Sequence, residues 1–299
     1  MGVHWVALTA CAGESGYSYG MESATPRSHF VVRNGIRLHH LDWGAEGAPG
    51  IVLVHGSRLH AHVWDDFSRR FSDRFRIVAI DQRGHGESGW GAPEDYQLEE
   101  LYRDLRAVVE ARGLSRYTLI GHSLGGRVSM LYANRHQAEL EGLVLVDITP
   151  GRPPAPERHR GSGNAQPRDF ESLDAAIHYL SRAMSRAPRH LVEESVRHGM
   201  RRNDAGRYVW KYDPVLFSQR VRPPEGMDLW NLVSGIATPT LLTYGSESDV
   251  VNSKLATRLR DTMPRCSVER IENAGHGLFT DQPEAFAASV LRFLEDDPA

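Results

Sequence analysis

Gly121-His122-Ser123-Leu124-Gly125 stands between an apolar run, Tyr117-Thr118-Leu119-Ile120, and a segment with helical spacing, Leu124–His136. The pentapeptide fits the pattern G-x-S-x-G in the context that pattern requires, after a strand and at the start of a helix. Glycines at both ends permit a turn too tight for Cβ atoms. Such a turn lifts the serine hydroxyl above the end of a sheet. It also points the first helical N–H groups, which have no partner inside the helix, toward the hydroxyl. A hydroxyl held there is a candidate nucleophile once a base accepts its proton. Ser123 is that candidate.

Outward from this turn, the chain alternates between strand and helix patterns. Ile51–Val54, Arg76–Ile80, Tyr117–Ile120, Leu143–Val146, Thr240–Tyr244 and Ser267–Ile271 are short runs rich in apolar or β-branched residues, bounded by Gly, Asp or Pro. Strands buried on both faces of a parallel sheet read this way. Between Phe30 and Trp43, two alternating runs flank Asn34-Gly35, a strong hairpin signal. Leu98–Arg112 carries a helical stripe of Leu98, Leu101, Leu105, Val108 and Val109, and Leu124–His136 and Glu284–Leu294 are also helical. The alternation predicts an α/β fold with a mostly parallel central sheet and helices on both faces.

The alternation breaks between about Pro150 and Gly235. Gly151–Gln166 is rich in Pro, Gly and Arg; helical patterns follow at Leu173–Ser185 and Leu191–Met200. Residues 150–235 are therefore expected to form an inserted helical cap on a core made of residues 29–149 and 236–299. Residues 1–28 read as an N-terminal extension, expected to be poorly ordered, with Met21 an alternative start.

A net charge of −3 over 299 residues offers nothing to nucleic acid or to an anionic membrane. The partner expected is a small-molecule substrate. No apolar run is long enough to span a bilayer, and assembly into a homo-oligomer is left open. Cys11 and Cys266, far apart in the chain, give no disulfide framework, so a reducing, cytoplasmic location is expected. No Cys/His cluster has zinc-ligand spacing, so neither a metal nor a cofactor is expected.

From about Phe30 to Leu294 the chain resembles the α/β-hydrolase fold family. The residues that carry the likeness are His55-Gly56 after a strand, Asp81-Gln82-Arg83-Gly84-His85-Gly86-Glu87-Ser88, the turn at Ser123, and Ala274-Gly275-His276-Gly277 near the end. The resemblance implies that His276 is the base. It implies that the N–H groups of Leu124 and Ser57 form an oxyanion hole, the pair of donors that a tetrahedral intermediate needs. Among the other histidines, His55, His85 and His122 read as loop packing, and His60 and His62 as residues near the pocket.

The third member of the triad must hold the tautomer of His276 and stabilise its charged form. Two residues qualify. Some relatives carry the acid on the earlier strand, 24 residues after the nucleophile, which is Asp147 here. Others carry it on a later strand, three residues past a Gly. That position is Ser248, with Asp249 one residue further. Asp147 is preferred and Asp249 is the alternative. Trp64, Trp210 and Tyr212 are candidates for the pocket wall, and Arg58 is a candidate contact for an anionic substrate group.

The activity these readings imply is hydrolysis of a carboxylic ester, thioester or lactone through an acyl-enzyme. Two alternatives stay open: a C–C bond hydrolase of aromatic degradation, and a ligand receptor of the same fold with slow turnover. A serine at the turn argues against the dehalogenases and epoxide hydrolases of the fold, which use an aspartate there.

Overall fold

The Asn34-Gly35 turn joins β1 (Arg27–Arg33) to β2 (Ile36–Trp43), and both turn residues take positive φ, 50° and 77°. That conformation matches the twist of an antiparallel pair. The computed structural model describes residues 25–151, 167–217 and 221–296. Arg27 and Ser28 pair with Asp42 and Leu41, so the core begins two residues earlier than the sequence suggested. Residues 1–24 of the expected extension lie outside the described residues, as does nearly all of the segment rich in Pro, Gly and Arg, residues 152–166.

After the hairpin come β3 (Gly50–Val54), α1 (Asp65–Phe71), β4 (Arg76–Ile80), α2 (Leu98–Ala111), β5 (Tyr117–His122), α3 (Leu124–His136) and β6 (Leu140–Val146). The insertion follows, with β7 (Asp169–Phe170), α4 (Leu173–Ala183), α5 (Arg189–Gly199), β8 (Met200–Arg202), β9 (Tyr208–Trp210) and α6 (Leu229–Ser234). The core then resumes with β10 (Thr240–Gly245), α7 (Ser253–Thr262), β11 (Cys266–Ile271), α8 (Leu278–Asp281) and α9 (Pro283–Glu295). The insertion is not purely helical. It also holds a small antiparallel sheet in the order β7-β9-β8, whose strands of two or three residues are too short to show a period-two pattern.

Among the described residues the main sheet has eight strands in the order β1-β2-β4-β3-β5-β6-β10-β11, parallel from β4 onward. Every residue of β3, β4 and β5 is buried, which explains their unbroken apolar runs. Alternate side chains still go to opposite layers. Ile51, Leu53, Ile77 and Ala79 pack with Trp64, Phe67 and Phe286, while Val52, Val54, Val78 and Ile80 pack with Leu105, Val108 and Val128. Each Val, Leu, Ile or Phe side chain so buried contributes about 1.5–3 kcal/mol.

The register sets the site. Val54 pairs with Gly121, Gly121 with Leu145, and Thr243 with Val146. The carboxyl ends of β3, β5, β6 and β10 therefore finish level, and the loops that follow them meet at one edge. Ligands of open α/β sheets bind at that edge.

Candidate active site

Ser123 follows β5 with φ 52° and ψ −111°, outside the regions an L-residue ordinarily occupies. Packing leaves the turn no alternative. A Cβ on Gly121 would lie 2.4 Å from Ser129 Oγ, and one on Gly125 would lie 2.2 Å from the carbonyl oxygen of Val54. The glycines let α3 start flush against β3, and the strained Ser123 is the consequence. Its N–H is tied to the carbonyl of Val146 at 3.2 Å, and its side chain opens into a cavity of about 220 Å³.

His276 lines the same cavity. Its Nδ1 lies 2.7 Å from Oδ2 of Asp147, which is completely buried. A carboxylate only accepts, so Nδ1 carries the proton and Nε2 keeps its lone pair. Asp147 sits just past β6 with φ 48° and is held from three sides. Its own N–H donates to Thr243 O at 2.8 Å, the N–H of Gly245 donates to its Oδ1 at 3.3 Å, and Ser248 Oγ donates to its Oδ2 at 2.6 Å. Burial pushes the Asp147 carboxyl above its usual range, against the opposing pull of His276 and then Ser248. Asp249 is exposed, and its neighbour Ser248 is the residue of that loop that reaches the carboxylate. Sequence reasoning gave Ser248 no role, although it occupies the position where other members of the fold carry the acid.

Two backbone N–H groups border the serine. Leu124 is the first residue of α3, so its N–H has no partner within the helix. Ser57 lies on the cavity wall after the Gly56 turn. His55 governs that turn. It is fully buried and held neutral by burial, its pKa pushed down to about 3. Its Nε2 accepts from the N–H of Gln82 at 3.1 Å, so its Nδ1 donates to Gly56 O at 2.7 Å. The carbonyl of Gly56 and the N–H of Ser57 belong to one planar peptide, so this hydrogen bond orients the Ser57 donor.

The loop after β4 supports the same turn. Buried Asp81 accepts from Ala61 N at 2.6 Å, from Glu87 N at 2.9 Å and from His39 Nδ1 at 2.7 Å. These bonds hold its carboxyl far below the usual range despite burial. The loop is structural, as its residue types suggest. His122 is likewise buried and neutral, with Nε2 donating to the carbonyl of His276 at 3.0 Å.

The remaining pocket candidates are placed differently from expectation. Trp64 has no solvent exposure and packs on Phe279, with ring centroids 4.5 Å apart, in the layer beneath the site. It is a core residue, because the 3-10 turn Ala61–Trp64 directs it inward. Trp210, Tyr212 and Arg58 line a neighbouring cavity of about 80 Å³ that shares Leu59, Met184 and Ser195 with the first. Trp210 is anchored there by Nε1 donating to Pro167 O at 2.7 Å. The walls of the serine's cavity come instead from Leu59, Val63, Phe67, Phe279 and, from the insertion, Met184 and Leu191. Asp66 and Glu194 lie at its edge, each ion-paired at 2.7 Å, with Arg70 and Arg69 respectively. For a metal, the only trio of candidate donors among the described residues is His62, Asp65 and His198.

Comparison with known proteins places this arrangement in context. A model of the alpha/beta hydrolase family matches residues 51–289. An esterase of Mycobacterium tuberculosis is 27% identical over 296 residues, covering 96% of this chain and 95% of that one. The N-formylmaleamate deformylase of Pseudomonas putida is 28% identical over 272 residues, covering 89% of this chain and 95% of that one. Among solved structures, an E-2-(acetamidomethylene)succinate hydrolase superposes with a TM-score of 0.79 at 23% identity, covering 91% of this chain and all of that one. No helix among the described residues is long and apolar enough to cross a membrane.

Proposed function

The chain belongs to the alpha/beta hydrolase family, and on that premise we propose that it is a serine hydrolase of carboxylic esters or related acyl compounds, acting through an acyl-enzyme. One observation carries the reading. Ser123 and His276 open on one cavity, with Asp147 fixed behind the imidazole at 2.7 Å. The names of the full-length relatives, an esterase and a deformylase, support acyl transfer to water.

In this mechanism Ser123 Oγ attacks the substrate carbonyl while His276 Nε2 takes its proton. The negative charge that develops on the carbonyl oxygen is met by the N–H groups of Leu124 and Ser57, which need no reorganisation. Asp147 stabilises the imidazolium. The intermediate collapses as His276 returns the proton to the leaving alcohol, leaving an ester on Ser123. A water deprotonated by His276 then releases the acid and restores Ser123. The apolar walls favour an uncharged, apolar group. Arg58 lies on the adjacent cavity.

The test is a panel of nitrophenyl esters of increasing chain length, with a thioester, a lactone and a vinylogous 1,5-diketone for C–C cleavage. Turnover of neutral esters beyond one equivalent is expected. Exclusive cleavage of the diketone would replace the ester reading, and product limited to one equivalent would favour a receptor.

A further inference from the structure

Beside the catalytic cavity, the core and the cap meet over a cluster of histidines. The 3-10 turn Ala61–Trp64 presents His62, and the last turn of α5 presents His198, which stacks on it with ring centroids 3.7 Å apart and 16° between planes. The approach is fixed by neighbours. His60 Nε2 lies 3.0 Å from the carbonyl of Ser195 on α5, and a Cβ on Gly199 would lie 2.9 Å from that same nitrogen. Only glycine lets the end of α5 come this close, and that closeness lays His198 over His62.

Asp65 completes the group. It is 5% exposed, and its Oδ2 lies 2.8 Å from Nδ1 of His62. Its Oδ1 is buried and has no hydrogen-bond partner. An ionised oxygen buried without a partner is costly, and a cation is the partner it lacks. One donor atom from each of His62, Asp65 and His198 falls within 4.8 Å of the others. Donors on one zinc ion stand roughly 3.4 Å apart, given metal–ligand bonds of about 2.0–2.2 Å. The imidazole lone pairs lie in the ring planes, so binding requires the two rings to swing out of their stack and converge on the ion.

We propose that His62, Asp65 and His198 form a binding site for a divalent transition-metal ion, shared between core and cap. Two imidazoles and one carboxylate are a donor set of zinc type, with the fourth position left for water. The ligands are i and i+3 on the core side and a residue 133 positions further on in the cap, so sequence spacing does not reveal them. His62 also lines the cavity that holds Ser123 and His276. An ion on His62 and His198 ties α5 to the rim of that cavity and thereby restrains substrate entry. This second half rests on the hydrolase reading, whereas the binding itself does not.

The experiment titrates the full chain with zinc chloride alone by isothermal calorimetry, following thermal unfolding in parallel. One zinc per chain is expected, with a higher unfolding temperature. His198→Gln should weaken binding at least 100-fold, since removing supporting residues outside the ligand set already costs about 10- to 100-fold, and should abolish the thermal shift. His62→Gln serves the same purpose if His198→Gln does not fold. In the wild type, zinc should lower kcat/KM on a short nitrophenyl ester, and in His198→Gln it should not. No binding by the wild type, or undiminished binding in the folded variants, overturns the site. Zinc binding lost in His276→Gln but kept in His198→Gln places the ion on the triad and also overturns it. Binding at His198 without any change in ester hydrolysis removes the restraint on substrate and leaves the site.

Discussion

Replacing Asp147 by Asn removes one charge and almost no volume from a fully buried position. In the proposed mechanism the imidazolium of His276 forms 2.7 Å from that charge. At an effective dielectric constant of about 20, a pair at that distance interacts by roughly 6 kcal/mol. The His276 side chain is 34% exposed, and solvent screening reduces that figure. A loss of about 4–5.5 kcal/mol remains, or about 10³- to 10⁴-fold in rate. The same change in a serine-protease triad costs about 10⁴-fold, through a wrong tautomer. The tautomer argument applies here too, because an amide N–H turned toward Nδ1 forces the proton onto Nε2. The loss should fall on kcat with KM nearly unchanged, since the imidazolium exists only after the substrate has bound. Stability should not fall. Burial already penalises the ionised carboxylate, and the amide oxygen, in the place of Oδ1, can still accept from the N–H of Gly245. Steady-state kinetics on a nitrophenyl ester, with thermal unfolding as control, make the measurement. Asp249→Asn, at an exposed position, should stay within about twofold of wild type. Adding Ser248→Asp to the Asp147→Asn protein should restore at least tenfold of the lost rate, because Ser248 already contacts the carboxylate oxygen that faces His276. A loss below tenfold for Asp147→Asn, or an equal loss for Asp249→Asn, would refute the reasoning.

Ser123→Ala should abolish turnover and leave the unfolding temperature unchanged, and a fluorophosphonate probe should label the wild type once, at Ser123; labelling of the variant would move the nucleophile elsewhere. Trp64→Ala should cost about 3–5 kcal/mol in urea unfolding, because it empties a packed site against Phe279 and Phe286; a cost below 1 kcal/mol would return Trp64 to the pocket wall. His55 and His85 are buried and held neutral, with pKa values pushed down by burial to about 3 and about 4 from 6.5. Between pH 6.5 and 4 the unfolded chain therefore binds more protons than the native one, and stability falls as the pH falls, by up to about 1.4 kcal/mol per pH unit for each histidine. Urea midpoints at pH 7, 6 and 5 check this, and a flat profile would contradict it.

Local chemistry made much of the molecule legible in advance. The turn at Ser123 demands small neighbours on both sides, Asn34-Gly35 demands positive φ, and strands buried on both faces must be apolar throughout. Each of these constraints acts within a few consecutive residues, so the sequence by itself determined the sheet, the turn at Ser123 and the loop that carries His276. Other features depend on distances between segments. Asp147 and Asp249 are both carboxylates at strand ends, and only the packing of β6 against β10 makes one of them buried and adjacent to His276. Ser248 reads as an ordinary loop residue until its hydroxyl is seen at 2.6 Å from that carboxylate. Trp64 reads equally well as pocket or as core, because composition does not say which way a 3-10 turn points its side chain. The stacking of His198 on His62 depends on Gly199, which lets the end of α5 approach His60 closely. Hydrophobic periodicity and turn chemistry decide which elements form, whereas the direction of a side chain and its partner across a sheet or a cap are set by tertiary packing, to which residues far apart in the chain contribute jointly.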